Sequence, residues 1–193
     1  MPFVCDRCSH CCRHHRVPLT DQDVERMRPV APQNESDWLD MVPVAALDME
    51  GEPETVVETR QGRRVLVLRH VQGGCVFLGP QGCTVHAERP RSCRSYPYDR
   101  PQNSDSRLGL HPEPLCPVET GIRDLVQQTV AAQALEQQRE FELEIQTRDE
   151  ELRSYAEFVT QYNRKQRVRL RLFRQALPPQ AFLTRLRSKL SPV

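Results

Sequence analysis

The chain has 193 residues, of which 38% are hydrophobic and 6% aromatic, with 16 prolines against 8 glycines. That fits one domain, or one domain with an appendage, whose core is modest and whose connections are largely turns and irregular segments. A formal net charge of +1 excludes a polyelectrolyte, no run approaches the roughly 20 apolar residues of a membrane span, and Met1 to Arg7 lacks a charged leader before an apolar stretch, so a cytoplasmic protein with no membrane role is expected.

The first predicted feature is a tight loop carrying Cys5, Cys8, Cys11 and Cys12. Thr20 with Asp23 then has the form of an N-cap pair opening a short helix through about Arg28, where Pro29 stops it. Ser36 is placed to cap another short helix around Trp38. Thr55 to Thr59 and Val65 to Leu68 are β-rich runs separated by Arg60-Gln61-Gly62-Arg63-Arg64, which predicts a hairpin. Cys75-Val76-Phe77-Leu78 reads as a third strand, with Gly73-Gly74 letting the backbone turn tightly before it.

Beyond Cys116 there are no cysteines, and from Ile122 to Leu177 there is neither glycine nor proline. Apolar residues recur there at helical spacing: Ile122, Leu125, Val126, Val130, then Phe141, Ile145, Leu152, Tyr155, Val159 and Tyr162. Thr147-Arg148-Asp149-Glu150 has capping-box form, which predicts a break and an antiparallel helix pair. The second helix of that pair would start with acids and end among Arg164, Lys165, Arg167, Arg169, Arg171 and Arg174, an order that complements the helix dipole. Arg167-Val168-Arg169-Leu170-Arg171-Leu172 alternates with period two, a strand signal in conflict with the helix. Pro178-Pro179 ends the element, and a short basic helix follows to about Leu190. The expected architecture is α+β: a small irregular cysteine-cluster metal domain with a β-hairpin over residues 1–118, followed by an α-helical C-terminal region over residues 119–193.

In a reducing compartment, clustered thiols are metal ligands more often than structural disulfides. The candidate ligands are Cys5, Cys8, Cys11, Cys12, Cys75, Cys83, Cys93 and Cys116. C-x2-C-x2-C at Cys5, Cys8 and Cys11 is three-quarters of a ferredoxin-type ligand run, and Cys116-Pro117 supplies the distant Cys-Pro that completes such a run. Adjacent cysteines rarely both reach one tetrahedral ion, so Cys12 is expected to turn elsewhere. One partition puts Cys5, Cys8, Cys11 and Cys116 on one centre and Cys12, Cys75, Cys83 and Cys93 on another, although spacing alone does not fix connectivity. Arg89, Arg91 and Arg94 surround Cys93, where guanidinium groups would stabilise thiolates.

Cys5, Cys8, Cys11 and Cys12, then Cys75-Val-Phe-Leu, then Cys83, Arg89-Pro90, Cys93-Arg94 and Tyr96-Pro97, resemble the YkgJ-type cysteine-cluster family, also described as a zinc- or iron-chelating CxxCxxCC domain, over roughly residues 5 to 117. The resemblance implies metal binding by these thiols, with iron-sulfur and zinc both proposed for such proteins. The family includes the flagellin lysine N-methylase, so enzymes occur among its members. His10, His14, His15 and His86 lie near the thiols and make a mixed Cys/His site chemically possible, but eight thiols leave no need for them.

The expected function is therefore that of a metal-binding cysteine-cluster protein, a redox, electron-transfer or sensor module that its helical tail presents to a protein partner. An iron-sulfur cluster is preferred to zinc, because Cys75 and Cys83 are too widely spaced for a second zinc knuckle. One alternative is a metal-dependent protein-modifying enzyme, with Arg94, Tyr96, Tyr98 and Asp99 as a polar pocket; the chain has no G-x-G-x-x-G loop and no C-x3-C-x2-C run. Another is a zinc-stabilised nucleic-acid-binding protein using the acid-free basic stretch 161–193. Acidic residues in 136–157 are expected to neutralise that stretch, so nucleic acid is not the expected partner.

Overall fold

Val65, Leu66, Val67 and Leu68 are all buried, because their strand is covered on both faces. The computed structural model describes residues 8–47, 55–96, 98–99, 109–110, 132–173 and 175–190. Cys5, Cys116-Pro117 and the predicted helical residues 122–131 lie outside these, as do the side chains of Tyr98 and Asp99.

The central strand β3 (Gly62–Leu68) pairs antiparallel with β1 (Leu39–Pro43) on one side and β2 (Val57–Thr59) on the other. The predicted hairpin is therefore present, with Thr59 opposite Gly62 and Arg60-Gln61 as its two-residue turn. Strand β1 stands where the sequence suggests a short helix around Trp38 and nothing after it. Only a 3-10 turn, Glu35–Asp37, precedes the strand, capped by Asn34 rather than Ser36. Alternation along β3 sends Leu66 and Leu68 into a large cluster with Trp38, Val24, Met27, Tyr155, Val159 and Phe182. Val65 and Val67 enter a smaller cluster with Val42, Leu47 and Val56 on the opposite face.

Two short helices enter this frame from the N-terminal side. Helix α1 (His10–His14) packs on residues 74–75, and α2 (Asp21–Met27) begins at a complete capping box between Thr20 and Asp23, as its sequence predicts. The connection between them runs beside β3: Leu19 N–H donates to Leu66 at 3.0 Å, and Leu68 N–H donates to Val17 at 3.0 Å.

The expected third strand over Cys75 to Leu78 is instead split between two miniature hairpins. In the first, β4 (His70–Val71) pairs with β5 (Gly74–Cys75); in the second, β6 (Leu78–Gly79) pairs with β7 (Gly82–Cys83). The first turns through Gln72 and Gly73, with φ of 46° and 82°, the doubly positive conformation that two-residue hairpins favour and glycine accepts without strain. Val76 N–H donates to Arg69 at 2.9 Å and Thr84 N–H to Phe77 at 2.9 Å, so each hairpin closes over an eight-residue unit with its cysteine in the seventh place.

Helix α3 (Arg91–Ser95) follows, then the two-residue strands β8 (Tyr98–Asp99) and β9 (Gly109–Leu110), then α4 (Ala132–Phe173) and α5 (Pro179–Leu190). The break predicted at Thr147 does not occur. Its hydroxyl donates to the Leu143 carbonyl at 2.8 Å, satisfied inside the helix instead of capping a new one. Arg91 also bonds Glu144 and Glu151, two turns apart on either side of Thr147, and so bridges the stretch where the break is expected. The helix pair exists one element later: Phe182 of α5 meets Phe158 and Tyr162 of α4, with ring centroids 5.8 Å and 5.0 Å away. The period-two run is helical, with Val168, Leu170 and Leu172 half or more exposed.

The charges of the tail also pair differently from expectation. Arg167 binds Glu58, Arg187 binds Glu35 and Lys189 binds Asp21, so acids of the N-terminal half face these cations. Asn163 adds two bonds to β2 and the residue before it, accepting from Glu58 N–H at 2.8 Å and donating to the Val56 carbonyl at 2.7 Å. The fold is α+β with helical C-terminal elements, and these share one hydrophobic cluster with the cysteine-bearing half. Among the described residues, no helix is long and apolar enough to cross a membrane.

Candidate metal centre

Cys11 and Cys12 sit on α1, Cys75 and Cys83 end the two miniature hairpins, and Cys93 lies in the middle of α3. Helix α1 packs on β5, and a Cβ at Gly74 would stand in ordinary contact with the Cys12 carbonyl oxygen at 3.6 Å but tightly against Leu78 Cδ2 at 3.1 Å. Helices α1 and α3 are joined by His15 against Tyr96, with ring centroids 5.3 Å apart.

Helix α3 is positioned from below by a buried carboxylate. Asp23, only 1% exposed, accepts from Thr20 N–H at 3.1 Å and from Arg91 N–H at 3.0 Å, and it pairs with Arg26. The same side chain therefore caps α2 and holds the first residue of α3, two positions before Cys93. Burial lifts its carboxyl above the ordinary range, against the pull of the Arg91 and Thr20 amides and the Arg26 charge. Arg26 and Arg91 in turn both grip Glu151 of α4, which is 5% exposed. From the sequence Asp23 reads only as a cap, and Glu151 only as an acid of a helix start.

The arginines around Cys93 serve the backbone and the helices. Arg91 goes to Glu144 and Glu151, Arg94 donates to the Ala87 and Arg89 carbonyls, and Arg89 donates to the carbonyls of His86 and Cys93. These bonds shape the loop and helix that present Cys93. The His86 ring nitrogens stand against Arg89 Nη1 at 2.9 Å and 2.8 Å.

The thiols themselves form one electrostatic neighbourhood. Cys11 is raised far above the ordinary thiol range by its hydrogen bond with the Cys12 side chain, by burial and by the Cys12 charge. Cys75 is raised by burial and by the charges of Cys83 and Cys11. Cys93 is raised strongly, first by burial, then by Cys11, Cys75, Cys83 and Asp23. Cys11 is felt by Cys75 and Cys93, and Cys12 stays beside Cys11; Cys5 and Cys116, which the sequence-based partition places with Cys11, lie outside the described residues. Cys8 is exposed at the margin. The six described cysteines are thiols, none in a disulfide. Among the described residues, no three His, Cys, Asp or Glu side chains are close enough together to hold one ion. The donor set fits zinc or iron chemistry, since soft thiolates suit both.

An α+β scaffold that carries thiols on α1, on two miniature hairpins and on α3 offers a soft donor set of the kind zinc- and iron-chelating proteins use. The match to known families agrees: residues 4–117 fit the family CxxCxxCC, described as a putative zinc- or iron-chelating domain, and the chain belongs to that family. No curated protein and no solved structure matches the chain.

Proposed function

We propose that the protein is a metal-binding module in which Cys11, Cys75, Cys83 and Cys93 hold an iron-sulfur cluster, with Cys5, Cys8, Cys12 and Cys116 as the remaining ligands, and that it serves a redox, electron-transfer or sensor role toward a protein partner. The observation that carries the reading is that four separate elements, α1, the two miniature hairpins and α3, present these four thiols, with α1 docked on β5 and α3 held by Asp23. Burial opposes thiolate formation at Cys75 and Cys93, so a bound cation would take up the charge that loss of their protons leaves. A further support is that Cys75 and Cys83 come from two different hairpins, whereas a zinc knuckle places two thiols on one turn. A bound cluster would supply one-electron exchange. Thiols rather than disulfides also suit a reducing cytoplasm.

The test is anaerobic purification followed by analysis for iron, zinc and acid-labile sulfide. Brown protein that bleaches under dithionite, and loses its colour in Cys11→Ser and Cys93→Ser, is the expected result. Colourless protein with stoichiometric zinc and no sulfide would overturn the cluster and leave a thiolate zinc site.

A further inference from the structure

We propose that His10 and His14 form a second, solvent-facing site for a divalent transition-metal ion, coupled through α1 to the thiols. The two residues stand one helical turn apart on α1, and their ring centroids are 4.6 Å apart. This spacing puts two imidazoles on one helix face, where both can ligate a single borderline ion such as zinc, nickel or copper. His10 is half-buried and His14 exposed, so water can complete the shell. The neighbouring histidines are used otherwise: His15 packs on Tyr96 and His86 lies against Arg89.

The consequence follows from how weak α1 is by itself. It has five residues, and Ser9 before it sits at φ 66° with no side-chain cap bond. A helix of that length does not hold its shape without outside support. An ion bridging His10 and His14 would span the whole element and fix the turn that carries Cys11 and Cys12. Occupancy of the imidazole pair should therefore strengthen metal binding at the thiols, and the thiol metal should strengthen binding at the imidazoles by the same factor. The coupling rests on the metal reading above; the imidazole site does not.

The experiment titrates zinc into the full chain carrying its thiol-bound metal, following the imidazole proton signals by NMR. One further equivalent should bind with His10 and His14 shifting together, and His10→Ala or His14→Ala should each weaken it roughly tenfold or more, the loss of one of two protein ligands. Arg13→Ala, on the same helix and exposed, should leave it intact. A chelator should withdraw the thiol-bound metal more readily from the double variant than from the zinc-loaded parent. Absence of saturable uptake, or uptake that survives both replacements, overturns the site. Equal chelator sensitivity overturns the coupling. Saturation of the imidazoles in protein that holds no thiol metal would defeat the functional reading and keep this one.

Discussion

Removing the Glu151 carboxylate should loosen three helices at once. Glu151 accepts from Arg91 Nε at 3.0 Å and from Arg26 Nη1 at 3.3 Å, and its side chain is 6% exposed against 20% and 18% for the two arginines. Breaking a buried ion pair costs about 3–5 kcal/mol when a charge is left stranded. Here neither guanidinium is stranded, since Arg91 keeps Glu144 and Arg26 keeps Asp23. The Arg26 bond is also long, so Glu151→Ala should cost about 2–3 kcal/mol, roughly two charged hydrogen bonds at the low end of their range. For a chain of this size that corresponds to a Tm lower by about 5–10 °C. The assay is thermal and urea unfolding of Glu151→Ala beside Glu140→Gln, an exposed acid on the same helix. Cys93 should also alkylate faster in Glu151→Ala, because Arg91 opens the helix that carries it. A loss below about 0.5 kcal/mol, the level of an ordinary surface change, with unchanged Cys93 reactivity would refute the idea that this network positions α3.

The thiols give a pH signature. Cys11, Cys75 and Cys93 all lie above the ordinary value of 9.0, so the unfolded chain loses their protons first as pH rises. Their contribution to stability is thus complete below pH 9 and is lost above it, and chelated protein should unfold more readily in urea as pH climbs beyond that point; a flat profile would contradict the burial. Metal affinity should move the other way, rising with pH because each ligated thiol gives up a proton, which competition titrations at pH 6 to 8 would detect. Phe182→Ala should cost about 3–5 kcal/mol in urea unfolding, since that ring is fully buried between α4 and α5 and its loss leaves a cavity. Asn163→Ala should cost about 2–3 kcal/mol, because it leaves a buried carbonyl and an amide of the β2 region without their partner; amide exchange at Glu58 should quicken.

Features set by neighbours in the chain are legible in the amino-acid sequence. The capping box at Thr20 and Asp23, the β2–β3 hairpin, the turn at Gly73 and the final basic helix all follow from interactions a few residues long. The cysteine pattern likewise points to thiolate metal chemistry and to the family, because ligand chemistry depends on residue type and spacing. Thr147 shows where local reading ends. Its capping-box sequence is equally compatible with a continuous helix, and Arg91, more than fifty residues earlier, helps decide between them by holding Glu144 and Glu151 in line. The same distance effect conceals β1, whose partner is β3, and misdirects the charge pairing, since Asp21, Glu35 and Glu58 reach the tail cations only after folding. It also joins Cys11 to Cys75, Cys83 and Cys93: sequence separates these thiols by up to 82 residues, and only the docking of α1 on β5 and of α3 on Asp23 brings their charges within reach of one another.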